Sequence, residues 1–344
     1  MAKKRIFMYA THGTLVDHES YTFIKRGFDV YTAAWATDTR SMQSGPIEFN
    51  PKHPYQGKCH FLTDKDVAIL SKIDVKSPYI CPAGYHQEIQ QTLLNNFDVL
   101  YVFQITPWLM LYAEEFLKLK RPVIFRTSGI PLWSWGHPHN YEKFWEYPTF
   151  YVLPSNPAEL EFGSYQHMFK EHGARQIMIS LQPELIDTTS KLESNNKFAL
   201  SVGDTSPTNV EFIRSKLEKA IDFRMINRAV RFVPIAEVNK LFNSCYFFFD
   251  MTAGLLKYSV FEAILHNKPV LVLKDKSIHT FMRNTGLEVG LEYWHEGYDD
   301  TDKFKFYVDN PGALNRVFGA QKLWLNKLIA EAEMKWDKFL EEIT

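Results

Sequence analysis

The sequence predicts an α/β protein built from two parallel-sheet domains, and three observations predict it. Short runs of β-branched and aromatic residues alternate with longer stretches of helical period, the pattern of parallel strands wrapped by helices. The alternation breaks once, near Gln182-Pro183-Glu184, and starts afresh at Phe198. At 344 residues, with 45% hydrophobic and 23% charged residues, the chain is long enough to pack two cores of ordinary size.

The first strand is Arg5–Ala10, an apolar run that stops at Thr11 and is too short for a signal peptide. A helix is expected over Glu19–Arg26 and a strand over Asp29–Ala34. Residues 40–85, rich in Pro, Lys, Asp and His, have no clear period, and read as a long excursion with a short helix around Asp64–Lys72; loops of that size are often functional lids. Helices follow at Gln87–Asn95, Pro107–Lys118 and Pro157–His172, between strands Val99–Ile105, Val123–Arg126 and Phe150–Leu153. The polar stretch Asp187–Lys197 suits a linker. Beyond it come strand Phe198–Val202, helix 208–219, strand Val230–Val233, helix 236–243, strand Tyr246–Asp250, helix 258–266 and strand Pro269–Leu273. Gln321–Ile343 closes the chain as an amphipathic helix with Trp324, Leu325, Leu328, Ile329, Trp336 and Leu340 on one side. The domains are accordingly placed at 1–185 and 196–320, with a final helix over 321–344.

Charge excludes a strong polyanion footprint: 39 basic residues stand against 40 acidic ones, split 18 to 19 over residues 1–190 and 21 to 21 over the remainder. The three cysteines, Cys59, Cys81 and Cys245, are odd in number and widely spaced, which fits reduced thiols in a cytoplasm, not a disulfide framework or a zinc site. No window approaches ~18 uninterrupted apolar residues. Asp64-Lys65-Asp66 is spelled like a metal motif but reads as a helix start, and His137-Pro138-His139 has no third ligand nearby, so no divalent metal and no tightly bound cofactor is indicated. Walker, Gly-x-Gly-x-x-Gly and Gly-x-Ser-x-Gly spellings are absent.

The sharpest segment runs from Tyr246 to Leu273: a buried strand, a small-residue loop Thr252-Ala253-Gly254, a helix opening near Tyr258-Ser259, and a second buried strand. Such βαβ units bind ligands at the carboxyl ends of their strands, with phosphate at the helix N-terminus. Glu262, one turn inside that helix between Phe261 and Ala263, needs a partner. Either a ribose diol or a nearby lysine would serve.

This segment resembles the donor-binding helix of GT-B glycosyltransferases, whose two Rossmann-like domains face each other across a cleft. The resemblance implies that Glu262 holds the ribose of a nucleoside diphosphate sugar, that Gly203 and Asp204 form the turn near the diphosphate, and that the last helix crosses back to the N-terminal domain. Gly13, Gly254, Tyr258 and Ser259 join this donor set, and Arg231, Lys257 and Arg126 are the available diphosphate counter-charges; the alternative for each is an ordinary surface or ion-pair residue. Within the superfamily the chain is similar to phage DNA glucosyltransferases that modify 5-hydroxymethylcytosine, through His18–Lys25, Asn96–Val102, Arg121–Trp135, Phe306–Asn310 and Glu333–Phe339. That likeness implies a UDP-linked donor, duplex DNA as acceptor and the host cytoplasm as location, and places Glu19 on an acidic active-site residue. The family's catalytic-base Asp, however, falls on Ser128, and its diphosphate-gripping arginines have no counterpart near Ser206–Asn209 or at Ser259.

The base is therefore sought in the loop after the first strand, Thr11–Glu19, where His12, Asp17, His18 and Glu19 are candidates; an N-capping role for Asp17 is the competing reading. Arg126, Ser128, Trp133 and Trp135 are assigned to the acceptor side, the tryptophans as stacking surfaces or as core. Lys52, Lys58, Lys72 and Lys76 are the cations open to a DNA acceptor. The expected activity is hexosyl or pentosyl transfer from a nucleoside diphosphate sugar to an acceptor hydroxyl. Hydroxymethylated DNA follows from the resemblance, whereas a glycan or small-molecule acceptor follows from the neutral charge. A non-catalytic nucleotide-sugar-binding protein is the rival class.

Overall fold

The computed structural model describes residues 4–10, 13–34, 50–54, 62–72, 85–103, 106–127, 142–154, 177, 180–193, 196–202, 215, 218, 220–226, 233–250, 258–273, 292–294 and 301–344. Two parallel sheets organise them. The first contains β1 (Arg5–Ala10), β2 (Asp29–Ala34), β3 (Val99–Phe103), β4 (Val123–Thr127) and β5 (Phe150–Pro154) in the order β2-β1-β3-β4-β5. Its helices are α1 (Gly13–Ile24), α2 (Asp64–Leu70), α3 (His86–Asn96) and α4 (Thr106–Lys118). β1 pairs with β2 in register from Arg5 opposite Asp29 to Ala10 opposite Ala34. The second sheet contains β6 (Phe198–Val202), β7 (Asp222–Ile226), β8 (Phe247–Asp250), β9 (Val270–Leu273) and β10 (Glu292–Trp294) in the order β10-β9-β8-β6-β7. With it go α5 (Ile235–Ser244), α6 (Tyr258–Leu265), α7 (Thr301–Asp309) and α8 (Pro311–Ile343). Each sheet reverses its strand order once, between β1 and β3 and between β6 and β8, and such reversals open a crevice at the carboxyl ends of the strands.

The central strands form where the sequence runs continuously apolar. Every residue of β3 and of β6 is buried, as parallel strands covered on both faces require. Strand β7 has no such run: Phe223 and Ile226 are buried while Asp222 and Met225 are exposed. It is an edge strand, and its polar alternation hid it from the sequence reading, which placed no element there. The expected helices 157–172 and 208–219 and the expected strand Val230–Val233 lie wholly or largely outside the described residues. The helix expected from Glu19 begins at Gly13 instead, so the presumed loop is helical over Asp17–Glu19 and Asp17 lies inside the helix, not at its cap.

The last helix is also longer than expected. It starts at Pro311, at the N1 position, where proline's missing N–H costs nothing, and its 33 residues span roughly 50 Å at 1.5 Å per residue. Its buried stripe follows the 3.6-residue period through Leu314, Val317, Gln321, Leu325, Ala332, Trp336, Phe339, Leu340 and Ile343. Leu314 and Val317 pack with Phe247 and Phe249 of the second sheet. Trp336, Phe339, Leu340 and Ile343 enter the core of the first, against Ile6, Met8 and Phe23. The helix thus crosses from one sheet to the other. Gln321, the polar member of the stripe, is satisfied by Val270, whose N–H it accepts at 2.9 Å and whose carbonyl it donates to at 2.7 Å. No helix among the described residues is long and apolar enough to cross a membrane.

The two crossings of the chain between the sheets are stitched at one point. Gln182 of the first crossing donates to Glu333 of α8 at 2.9 Å and accepts from Lys25 at 2.7 Å. Lys25 and Arg26 pair with Glu333 at 2.6 and 2.9 Å, and Arg26 reaches Asp337 at 2.6 Å.

Candidate functional site

Helix α1 leaves the carboxyl end of β1 and buries a run of polar side chains. Asp17, His18, Glu19, Ser20 and Thr22 are all 1% exposed or less. A buried polar group without a partner is costly, so each of these demands one, and the partners separate the residues by role.

Glu19 is committed. Arg126 of β4 donates to one of its carboxylate oxygens through Nε at 2.9 Å and through Nη2, and the Tyr101 hydroxyl of β3 donates to the other. Arg126 is itself fully buried, donates to the carbonyls of Ile177 and Leu153, and lies 5.6 Å from the centre of the Trp336 ring. Burial pushes the Glu19 carboxyl up and the guanidinium opposes it. A charge neutralised on both oxygens is poorly placed to take a proton from a substrate, and its guanidinium partner is not available to a diphosphate.

His18 accepts the Gln182 N–H through Nδ1 at 2.8 Å. Its only neutral-form lone pair is therefore occupied and Nε2 carries the proton. Burial, and then nearby His53, lower its pKa to about 3. The ring lies 5.3 Å from that of Tyr258, so His18 serves as a contact between the two sheets' helices.

Asp17 differs. One carboxylate oxygen accepts the Asn50 N–H at 3.1 Å, and no cation pairs with it among the described residues. Burial raises its pKa from 3.8 to about 7; the Asn50 bond opposes this and the Glu262 carboxylate adds to it. The segment carrying Asn50 is pinned to α1 by His53, whose Nε2 lies 2.9 Å from Ser20 Oγ. Ser20 Oγ donates to the Asp17 carbonyl at 3.1 Å, so it accepts from a neutral His53, whose pKa burial lowers to about 4.

On the opposite side, α6 begins at the carboxyl ends of β6 and β8. Ser259 donates to the Val202 carbonyl at 3.3 Å, which sets the helix start against the last residue of β6. Tyr258 packs against the cores of both sheets and donates to the Ser180 carbonyl at 3.2 Å. Burial, followed by the carboxylates of Glu262, Asp17 and Glu19, holds its phenol well above the ordinary value. Three carboxylates, two on α1 and one on α6, therefore act on one tyrosine.

Of the residues singled out from sequence, the fold brings together Asp17, His18, Glu19, Arg126, Tyr258, Ser259 and Glu262, and Gly13 opens α1. His12, Ser128, Trp133, Trp135, Gly203, Asp204, Arg231, Gly254, Lys257, Lys58 and Lys76 lie outside the described residues. Lys52 is spent on the Ile186 carbonyl at 2.7 Å, and Lys72 lies 4.0 Å from the centre of the Tyr85 ring. Asn50, His53, Ser180 and Gln182 escaped the sequence reading; the lone signal was that His53 sits in the excursion and Gln182 at the break in pattern. Among the described residues no group of three or more His, Cys, Asp or Glu is placed to hold a metal ion.

No protein-family model matches the sequence, and no curated protein is similar to it. Solved structures are similar in fold over nearly the full length. Anabaena HepE in complex with UDP and glucose shares 11% identity at a TM-score of 0.60, covering 98% of this chain and 100% of its own. A Rickettsia africae glycosyltransferase shares 10% at 0.57, covering 100% and 98%. The Streptomyces nogalater glycosyltransferase SnogD shares 10% at 0.51, with both chains covered in full. Two parallel α/β sheets, crevices at their strand reversals and a last helix returning to the first sheet together give this chain the GT-B fold.

Proposed function

We propose that this protein is a glycosyltransferase that moves a hexosyl or pentosyl group from a UDP-sugar to an acceptor hydroxyl, with the base on the N-terminal domain and the donor on the C-terminal one. One observation carries the reading: Asp17, a buried carboxyl with a pKa near 7, lies close enough to Glu262, on the helix at the second sheet's crevice, for their charges to interact. A general base works best with its pKa near the working pH. In this reading Glu262 accepts hydrogen bonds from the two ribose hydroxyls, and the α6 N-terminus with Lys257 and Arg231 faces the diphosphate. The acceptor hydroxyl gives its proton to Asp17, its oxygen bonds to the anomeric carbon, and the bond to the diphosphate breaks, UDP leaving with the electron pair. Glu19 and Arg126 position α1. The neighbouring folds support the donor class, since HepE is seen with UDP and UDP-glucose.

The domains in this proposal span 1–185 and 196–320, joined by the 180–193 crossing and the last helix. 5-Hydroxymethylcytosine in duplex DNA, and with it a phage origin and a host-cytoplasmic location, rests on the sequence resemblance. The charge of −1 and the engagement of Lys52 and Lys72 favour a glycan or small-molecule hydroxyl. Mass spectrometry of incubations with a panel of UDP-sugars and three acceptor classes, hydroxymethylated DNA, oligosaccharide and small phenol or alcohol, tests the reading. A sugar mass added to one acceptor supports it and names the class. UDP-sugar binding with neither transfer nor hydrolysis would instead make the protein a non-catalytic binder, the reading that serine at position 128 favours.

A further inference from the structure

Asp17 sits in an unusual electrostatic setting for a carboxyl. From α1 its neighbours are His18, neutral, and Glu19, already paired with Arg126. From the Asn50–Pro54 segment they are a backbone N–H and, beyond Ser20, the neutral His53. From the donor helix they are Glu262 and Tyr258. Among the described residues the groups that act on the Asp17 carboxyl are one stabilising N–H and the opposing charge of Glu262; Lys257 and Arg231, which the donor reading assigns to the diphosphate, lie outside them.

Donor chemistry adds to this. For transfer to occur the attacking hydroxyl must touch both the base and the anomeric carbon, and that carbon is bonded to the β-phosphate oxygen. The diphosphate therefore comes to rest within roughly 8 Å of the base, about one Debye length at physiological salt. A like charge at that range disfavours ionisation of the carboxyl to the extent that Lys257, Arg231 and the helix N-terminus leave it unneutralised.

We propose that binding of the nucleoside diphosphate sugar is coupled to uptake of a proton by Asp17, so that an occupied donor site makes the base stronger and holds it protonated until the acceptor is in place. The inference rests on the donor reading of Glu262 given above. The proton comes from bulk solvent and lands on the Asp17 carboxylate; no covalent bond of the donor changes in this step. Release of that proton before the acceptor hydroxyl is activated returns Asp17 to its basic form. The coupling also guards the donor, because a protonated Asp17 cannot activate water in the absence of acceptor.

Calorimetric titration of the full chain with UDP-glucose at pH 7, repeated in phosphate, HEPES and Tris, reads the uptake directly. UDP-glucose is the right probe because its diphosphate is a diester with no proton that titrates near neutrality. The apparent enthalpy should vary linearly with the buffer's ionisation enthalpy, with a slope of roughly 0.3 to 0.5 proton taken up, since a group of pKa near 7 is already about half protonated. Affinity should weaken several-fold between pH 6.5 and 8.5. In Asp17→Asn the slope should vanish and the pH dependence flatten, while binding persists. A zero slope in the wild-type protein with measurable binding overturns the inference, as does an unchanged slope in Asp17→Asn. Should that variant fail to fold, the wild-type slope and the pH series still decide. Glu262→Gln separates the two readings: unaltered affinity with a retained slope sinks the ribose assignment alone, whereas absence of any binding heat in the wild-type protein overturns both. An acid limb of kcat at higher pH than that of kcat/KM is the kinetic counterpart, since kcat reports the donor-bound enzyme and kcat/KM the free one.

Discussion

Two faces of one helix hold the contrast that matters most in this molecule. Asp17 and Glu19 are two residues apart on α1, about 200° around its axis, and equally buried. Glu19 meets Arg126 and Tyr101 beneath the first sheet, where both carboxylate oxygens are hydrogen-bonded. Asp17 accepts from one backbone N–H and is acted on by the charge of the Glu262 carboxylate. The first arrangement uses a charge to fix the helix. The second keeps a carboxyl under tension, ready to exchange a proton near neutrality. Burial alone does not make a residue chemical; the identity of what lies opposite does.

Substitution can break this contrast in graded steps. The largest effect is expected at Asp17. Asp17→Asn should slow sugar transfer by on the order of 100- to 10,000-fold, the range a positioned base contributes, as read by steady-state rates at saturating donor. The same change should stabilise the fold at pH 8. Because the folded-state pKa is raised from 3.8 to about 7, the folded protein retains a proton that the unfolded chain has released. Stability on this group's account therefore falls as pH rises from about 4 to 7, and is lowest above that, by up to roughly 4 kcal/mol at 1.36 kcal/mol per pKa unit. The melting temperature of Asp17→Asn should exceed that of wild type at pH 8 and converge with it near pH 4. A slower and less stable variant would place Asp17 with Glu19 as a structural carboxylate.

Arg126→Met should do the reverse. Leaving Glu19 buried without its cation costs about 3–5 kcal/mol, visible as a lower urea midpoint, and partial rescue is expected from adding Glu19→Gln. Glu262→Gln should leave stability near wild type and weaken UDP binding tenfold or more, because a charge-assisted hydrogen bond is worth about 1.5–3 kcal/mol. The smallest effect belongs to the stitch between the two crossings. Glu333 is part-exposed, its side chain 27% accessible, so Glu333→Ala removes contacts to Lys25 and Arg26 that solvent already screens. A loss of at most ~1 kcal/mol, shrinking further in high salt, is expected from denaturation curves.

The two halves of the site were not equally readable. The side proposed to bind the donor is local: a buried strand, a helix and another buried strand follow one another within Tyr246–Leu273, so hydrophobic runs and a single carboxylate between Phe261 and Ala263 single out Glu262. The base side is not. Its four candidates cluster in the sequence, but the stretch reads as a loop, because Gly13-Thr14 and the polar residues after it carry no apolar helical period. That face of the helix is buried against polar groups, and periodicity detects only apolar burial. Helix α8 is longer than its sequence predicts for a related reason. Its first ten residues, Pro311–Ala320, include only Leu314 and Val317 as buried apolar residues, and proline and two glycines dilute the signal further.

The sequence by itself determined the class, the parallel central strands, the two-sheet division and helix α6, since each depends on the order of apolar and polar residues along a short stretch of chain. Only the tertiary structure decided which carboxylate is free to titrate. That outcome rests on partners brought from afar: Asn50 lies 33 positions from Asp17, Arg126 lies 107 from Glu19, and Gln182 lies 164 from His18. A side chain's pKa is set by the charges and dipoles within a few ångströms, and one-dimensional spacing carries no record of which distant residues those will be.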